Sequence, residues 1–125
     1  MALRSPAAKA LRAGATIELR ARGGSMWPLF RTGDWLRVEP APPASLRRGD
    51  IAVVETAHGL VAHRVVATRP LVTRGDRMRA DDLPVADEQL LGRVRAFRRW
   101  GVAVALDSRL GRALSLASAA LPVRR

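Results

Sequence analysis

Short apolar runs are separated along this chain by Gly-Asp, Pro-rich and His-Gly punctuation, a rhythm of strands and turns more than of long helices. Residues 5–14 predict a short helix, with Ser5 as its cap, Pro6 at the first helical position and Gly14 closing it. Runs rich in Val, Ile, Leu and Thr then predict strands at residues 16–19, 35–38, 51–56, 60–67 and 71–73. His58-Gly59 between two of them reads as a hairpin turn. The stretch 39–45 contains three prolines, which lack the N–H a central strand must donate. A last strand pair is expected over 90–97 and 101–106. Leu106, Leu110, Leu114, Ala117 and Leu121 then recur at helical spacing, predicting an amphipathic helix over about 107–121 whose apolar face packs on the sheet. The expected architecture is a mainly β single domain spanning 1–125, with its β core at about 16–106 and a short helix at either end.

Length and composition bound the possibilities. The 125 residues hold one core, and the 48% hydrophobic and 26% charged balance is that of a folded domain. With no cysteine there is no disulfide framework, Cys nucleophile or thiolate metal site. With only His58 and His63, a closed zinc site would need carboxylates to complete it. The net charge of +11 invites a nucleic-acid reading, but the arginines are scattered from Arg4 to Arg125 and only five residues are aromatic, too few for a stacking platform. Nucleic acid is therefore not an expected partner. Charges at Arg4, Lys9, Arg12, Glu18 and Arg20 interrupt any signal-peptide core, and the longest uncharged run, residues 113–123, falls short of the ~20 residues a membrane span needs. A cytoplasmic protein is expected.

The candidate chemistry starts at Gly23-Gly24-Ser25-Met26-Trp27-Pro28. Two glycines permit a tight turn before Ser25 and Pro28 stiffens the chain after it, a setting that suits an exposed nucleophile beside backbone N–H groups and equally suits a plain surface turn. A serine nucleophile needs a base. Lys9 is the only lysine and falls in the first helix, which disfavours a Ser-Lys pair. His58 falls in a turn, and His63 falls mid-strand, where a structural role is the common alternative. Acids that could orient an imidazole cluster at Asp76, Asp81 and Asp82, among Arg74, Arg77 and Arg79 that could simply pair with them. Gly33-Asp34 and Gly49-Asp50 read first as turns.

Taken in order, these motifs resemble the signal peptidase I superfamily over about residues 16–106. Ser25-Met26-Trp27-Pro28 is similar to the family's Ser-Met-x-Pro nucleophile box, and Gly33-Asp34 and Gly49-Asp50-Ile51-Ala52-Val53 to its next two Gly-Asp turns. Ala62-His63-Arg64-Val65-Val66 falls at the general base, which is His in the endoplasmic-reticulum, archaeal and spore-former branch. Thr73-Arg74-Gly75-Asp76 with Asp81-Asp82 resembles that branch's acidic box, and Leu91-Gly92-Arg93-Val94 the strand after it. The resemblance implies a coiled, barrel-like antiparallel sheet of the signal peptidase and LexA-like type. It implies a serine endopeptidase cutting after small residues, with a peptide or precursor protein as substrate and no metal or cofactor. Ser25 would be the nucleophile, His63 the base, Asp82 the group orienting His63, and Asp76 a support or a sharer of that role. Gly24, Ser25 and Met26 would line the substrate and oxyanion side, led by the Ser25 N–H.

Two departures stand out. Many relatives carry a serine two residues before the nucleophile to help hold the oxyanion, and here that position is Gly23. Relatives are also normally anchored by a transmembrane helix, for which this chain shows no segment, so a small member without an anchor is expected. Rival readings are a self-cleaving LexA-like relative, which the absent base lysine disfavours, a catalytically silent peptide-binding module, and a basic surface for nucleic acid or lipid. A sharper alternative for the last helix is peripheral contact with a bilayer, helped by Arg109, Arg112, Arg124 and Arg125.

Overall fold

The computed structural model describes residues 5–121. Helix α1 (Pro6–Arg12) is capped by Ser5, whose Oγ accepts the Ala8 N–H at 3.0 Å. Seven strands follow: β1 (Ile17–Arg20), β2 (Trp35–Glu39), β3 (Ile51–Thr56), β4 (Gly59–Thr68), β5 (Leu71–Arg74), β6 (Leu90–Arg99) and β7 (Val102–Ala105). Single turns of 3-10 helix lie at Pro43–Ser45 and Asp87–Gln89, and helix α2 (Arg109–Ala119) ends the described chain. The mainly β expectation holds, with every expected strand present and two short helices.

The strands form one antiparallel sheet in the order β1-β2-β6-β3-β4-β5, with β7 added to the outer half of β6. The sheet is open. β1 pairs only with β2, and β5 meets β4 only from Arg64 onward, so the Gly59–His63 half of β4 pairs on one side alone. Closure into a barrel would require β1 to pair with that half of β4, and no such pairing exists among the described residues.

The turns follow local chemistry. At Gly33 and Gly49 the backbone takes φ of +97° and +95°, and the aspartate after each glycine accepts the N–H three residues back, Arg31 to Asp34 at 2.8 Å and Arg47 to Asp50 at 2.9 Å. The β3–β4 hairpin turns on Ala57-His58, because Thr56 is paired with Gly59, so His58 sits in the turn and Gly59 just after it. Trp100 and Gly101, both at positive φ, make the two-residue turn between β6 and β7.

β3 explains why its sequence reads as an unbroken apolar run. Ile51 and Val53 enter a cluster with Leu11, Met26, Phe30, Leu36, Val38 and Phe97, while Ala52 and Val54 enter a second with Leu46, Val65 and Leu71. A strand buried on both faces has no polar side to show. α1 closes one end of the first cluster through Ala8 and Leu11. α2 departs from expectation: Gly111, Ser115 and Ser118 face the body, whereas Leu110, Leu114, Leu116 and Leu121 are exposed. The reason is the polar anchorage of the helix, in which Arg64 bonds Ser115 and Arg77 bonds Ser118. Arg124 and Arg125, expected near a lipid surface, lie outside the described residues.

Candidate active site

Ser25 sits in the loop between β1 and β2. Its base is closed by Ala21 N–H to Asp34 O at 2.8 Å and Gly33 N–H to Ala21 O at 2.9 Å. Thr32 Oγ1 accepts the Gly23 N–H at 3.1 Å, and Gly23 itself adopts φ +80°. Met26, Leu29 and Phe30 drop from the loop into the core, so the hydroxyl of Ser25 is held on a packed base. The Trp27–Pro28 peptide is cis.

Two residues of β4 divide their work across its faces. The His63 ring points at the serine, Nε2 standing 3.1 Å from Ser25 Oγ, and its Nδ1 stands 2.6 Å from Asp82 Oδ2. The imidazole is mostly buried, with its side chain 12% exposed, and the Asp82 side chain is 37% exposed. Asp82 is itself aimed: Thr73 Oγ1 donates to the same Oδ2 at 2.8 Å, and the Asp82 N–H bonds Thr73 O at 2.8 Å. Thr73 is wholly buried on β5, so its hydroxyl is a fixed pointer.

Arg64, next along the strand, turns to the other side. Its Nε and one terminal nitrogen grip the two oxygens of Asp76 at 2.8 Å each, and the remaining donors reach Gly49 O, Ser115 Oγ and Ser115 O, each at 2.9 Å. Both side chains are nearly inaccessible, at 6% and 3% exposure. The structure thus separates the three acids that the sequence left together. Asp82 meets His63, Asp76 neutralises Arg64 inside the protein, and Asp81 lies exposed against Arg74 at 3.4 Å.

The acidic loop is stitched to the serine loop. Arg77 N–H donates to Ser25 O at 2.8 Å, and the Asp76 N–H meets Met26 Sδ at 3.3 Å. Between them passes Gly75, where a Cβ would stand 2.9 Å from Ser25 Cβ, 3.1 Å from His63 Nε2 and 2.8 Å from Met78 Cγ. No side chain fits there without displacing the pair. Gly75 and Thr73 were visible only as members of a motif, and Arg64 as a neighbour of His63. The close approach that gives each its part depends on long-range packing.

A cleft of about 660 Å³ opens beside Ser25 and His63, lined by Leu19 and Arg20 of β1, by Ala21 to Gly23 of the loop after it and by Gly59 to Ala62 of β4. Ala7, Phe30, Leu36 and Val53 add to its apolar lining, Ser5, Arg20, Arg22 and His58 bring polar groups to it, and no carboxylate takes part. Gly59 to Ala62 on one wall, and Leu19 and Arg20 at the end of β1, belong to strand borders that the open sheet leaves unpaired. Among the described residues no cluster of His, Asp and Glu could hold a metal, and no helix is long and apolar enough to cross a membrane.

Elsewhere, buried carboxylates serve the frame. Burial alone would push Asp34 up, but the bidentate Arg99 and the Arg31 N–H hold it below the usual carboxylate value. Asp50 is likewise lowered against its burial by the Arg47 N–H, Arg112 and Arg93. These are the two Gly-Asp turns, and both lie outside the Ser-His-Asp chain of contacts.

No family model, no curated protein and no solved structure matches the chain, so the geometry and the motif resemblance carry the functional reading.

Proposed function

We propose that the protein is a serine endopeptidase of the signal peptidase type, with the sheet architecture of that superfamily. The observation that carries the reading is the unbroken relay of contacts from Ser25 Oγ through the His63 ring to Asp82, at 3.1 and 2.6 Å, beside a cleft with two unpaired strand borders. A substrate segment enters extended and adds to the free borders of β1 and β4, which supply main-chain partners without reading most side chains. Ser25 Oγ attacks the scissile carbonyl as His63 Nε2 takes its proton, and Asp82 holds the ring in the tautomer that can accept it. The oxyanion is met by backbone N–H groups of the Gly24 to Met26 turn. The C–N bond then breaks, the departing amine takes the proton from His63, and water activated by the same ring releases the acyl group and restores Ser25.

The small, apolar lining near Ser25 (Ala21, Gly23 and Ala62) accords with small residues before the cut. Purified protein is incubated with a peptide mixture containing Ala-x-Ala-like sites and read by mass spectrometry, beside Ser25→Ala and His63→Ala. Cleavage by the parent that both variants lose supports the proposal; cleavage that survives in either overturns it. One observation favours a second reading, a peptide-binding module of the same fold: position 23 offers no side-chain hydroxyl to the oxyanion, and such a donor is worth about 10²–10³ in rate. Binding by the parent without cleavage decides for that module.

A further inference from the structure

α2 is built with its apolar side outward. Leu110 and Leu114 are 72 and 51% exposed, and with Ala113 and Ala117, also exposed, they fall on one stripe of the helix, which Leu121, 44% exposed, follows just past the C-cap. The orientation is enforced from the other side. A Cβ on Gly111 would run into Ala105 O, so only that glycine face can approach β7. Arg64 holds Ser115 through both its hydroxyl and its carbonyl, and Arg77 donates to Ser118 O at 2.8 Å. Turning the leucines inward would leave Arg64 with an unmatched buried donor and drive Gly111 off its seat. The stripe is therefore a fixed outward surface.

Its surroundings indicate what covers it. Residues 109–121 include no acid; Arg112 is taken up by Asp50 at 3.0 Å and donates to Arg48 O at 3.1 Å, and the guanidinium groups exposed around the helix are those of Arg109, Arg47 and Arg48. A second copy of a chain with net charge +11 would set like charge against like. An anionic bilayer suits both features, offering its acyl boundary to the leucines and its phosphates to the guanidinium groups.

We propose that α2 docks flat into the headgroup region of an anionic membrane, leucine stripe down, while Gly111, Ser115 and Ser118 keep it fastened to the sheet. No residue of α2 lines the cleft, so docking leaves the Ser25 side open. The inference is independent of the peptidase reading.

Co-sedimentation with phosphatidylglycerol–phosphatidylcholine vesicles, and with phosphatidylcholine vesicles alone, tests it. The parent pellets with the anionic vesicles. The double variant Leu110→Glu/Leu114→Glu, whose changed side chains are already exposed and whose folding is checked by circular dichroism, loses about a hundredfold or more in partitioning. Leu83→Glu, at a residue 87% exposed and away from α2, binds as the parent does. Failure of the parent to pellet overturns the proposal, as does pelleting that the double variant retains, which would reduce the effect to scattered arginines. A concentration-dependent dimer seen by light scattering, abolished by the double variant and unaccompanied by vesicle binding, would assign the stripe to a second copy instead.

Discussion

Gly75→Ala adds one methyl group at the most crowded point of the site. The new carbon would lie 2.9 Å from Ser25 Cβ and 3.1 Å from His63 Nε2, whereas unstrained carbon atoms rest about 3.5–4.0 Å apart. Relief therefore needs a shift of roughly 0.5–1 Å by Ser25, His63 or the Gly75 loop. The third contact, Met78 Cγ, belongs to a flexible side chain 48% exposed and gives way readily. Ser25 does not, since its carbonyl is bonded to the Arg77 N–H and its neighbour Met26 is buried. The shift lengthens the 3.1 Å contact between Ser25 and His63, and a displacement near 1 Å costs about 10² in rate. The fold loses less, about 1–3 kcal/mol for an overpacked methyl group. The expected result is a fall of about a hundredfold in kcat on the best peptide, with KM little changed and cooperative unfolding retained. A variant that cleaves within a factor of about three of the parent would refute the geometry, and so would loss of binding in step with turnover.

Asp82→Asn preserves shape but removes the charge that fixes the His63 tautomer, and kcat is expected to fall by about 10²–10⁴ in peptide-cleavage kinetics with melting little altered. Asp76→Ala leaves Arg64 charged and buried without its partner, a loss of about 3–5 kcal/mol seen as a large drop in denaturant midpoint, which an added Arg64→Met partly restores. Asp34→Asn removes a carboxylate whose folded pKa lies below its ordinary 3.8. The stability it contributes is full above that value and disappears as pH falls through the lower folded value. Parent and variant should therefore differ by about 2 kcal/mol at pH 7 and converge in acid, as urea titrations across pH would record. Gly111→Ala pushes α2 off Ala105 O and should lower the melting temperature measurably, while its neighbour Leu110→Ala, at an exposed position, should not.

The strands were legible because each is bounded by a residue with a backbone reason to stop it, such as Gly33 or Gly49 at positive φ, or the prolines after Glu39. Ser25 and His63 were legible as a pair only through a motif, since nothing in their 38-residue separation says that they meet. The choice among Asp76, Asp81 and Asp82 was not legible. It turns on Thr73 hydrogen-bonding one of them and Arg64 binding another, contacts that only tertiary folding creates. The period of α2 was legible and its direction was not. Leucine spacing gives an apolar stripe but not the side on which the body lies, and here Gly111 and the polar demand of Arg64 outweigh the burial of Leu110 and Leu114. Open or closed sheet was likewise beyond the pattern, since pairing between β1 and β4 depends on how far the strands coil in space.

That His63 and Arg64 are consecutive has a consequence for how the gene can vary. Strand side chains alternate faces, so one residue inserted ahead of them in β4 would bring the imidazole to the place facing Asp76, and one deleted would bring the guanidinium to the place facing Ser25. Both the relay and the buried ion pair would fail in a single event. The irregularity that β4 does contain, against β5 between Val65 and Ala67, falls after the two residues and leaves their frame intact. Length changes among natural variants should therefore gather in the Ala57-His58 turn in pairs of residues, or beyond Val65, and be missing from Leu60 to Arg64.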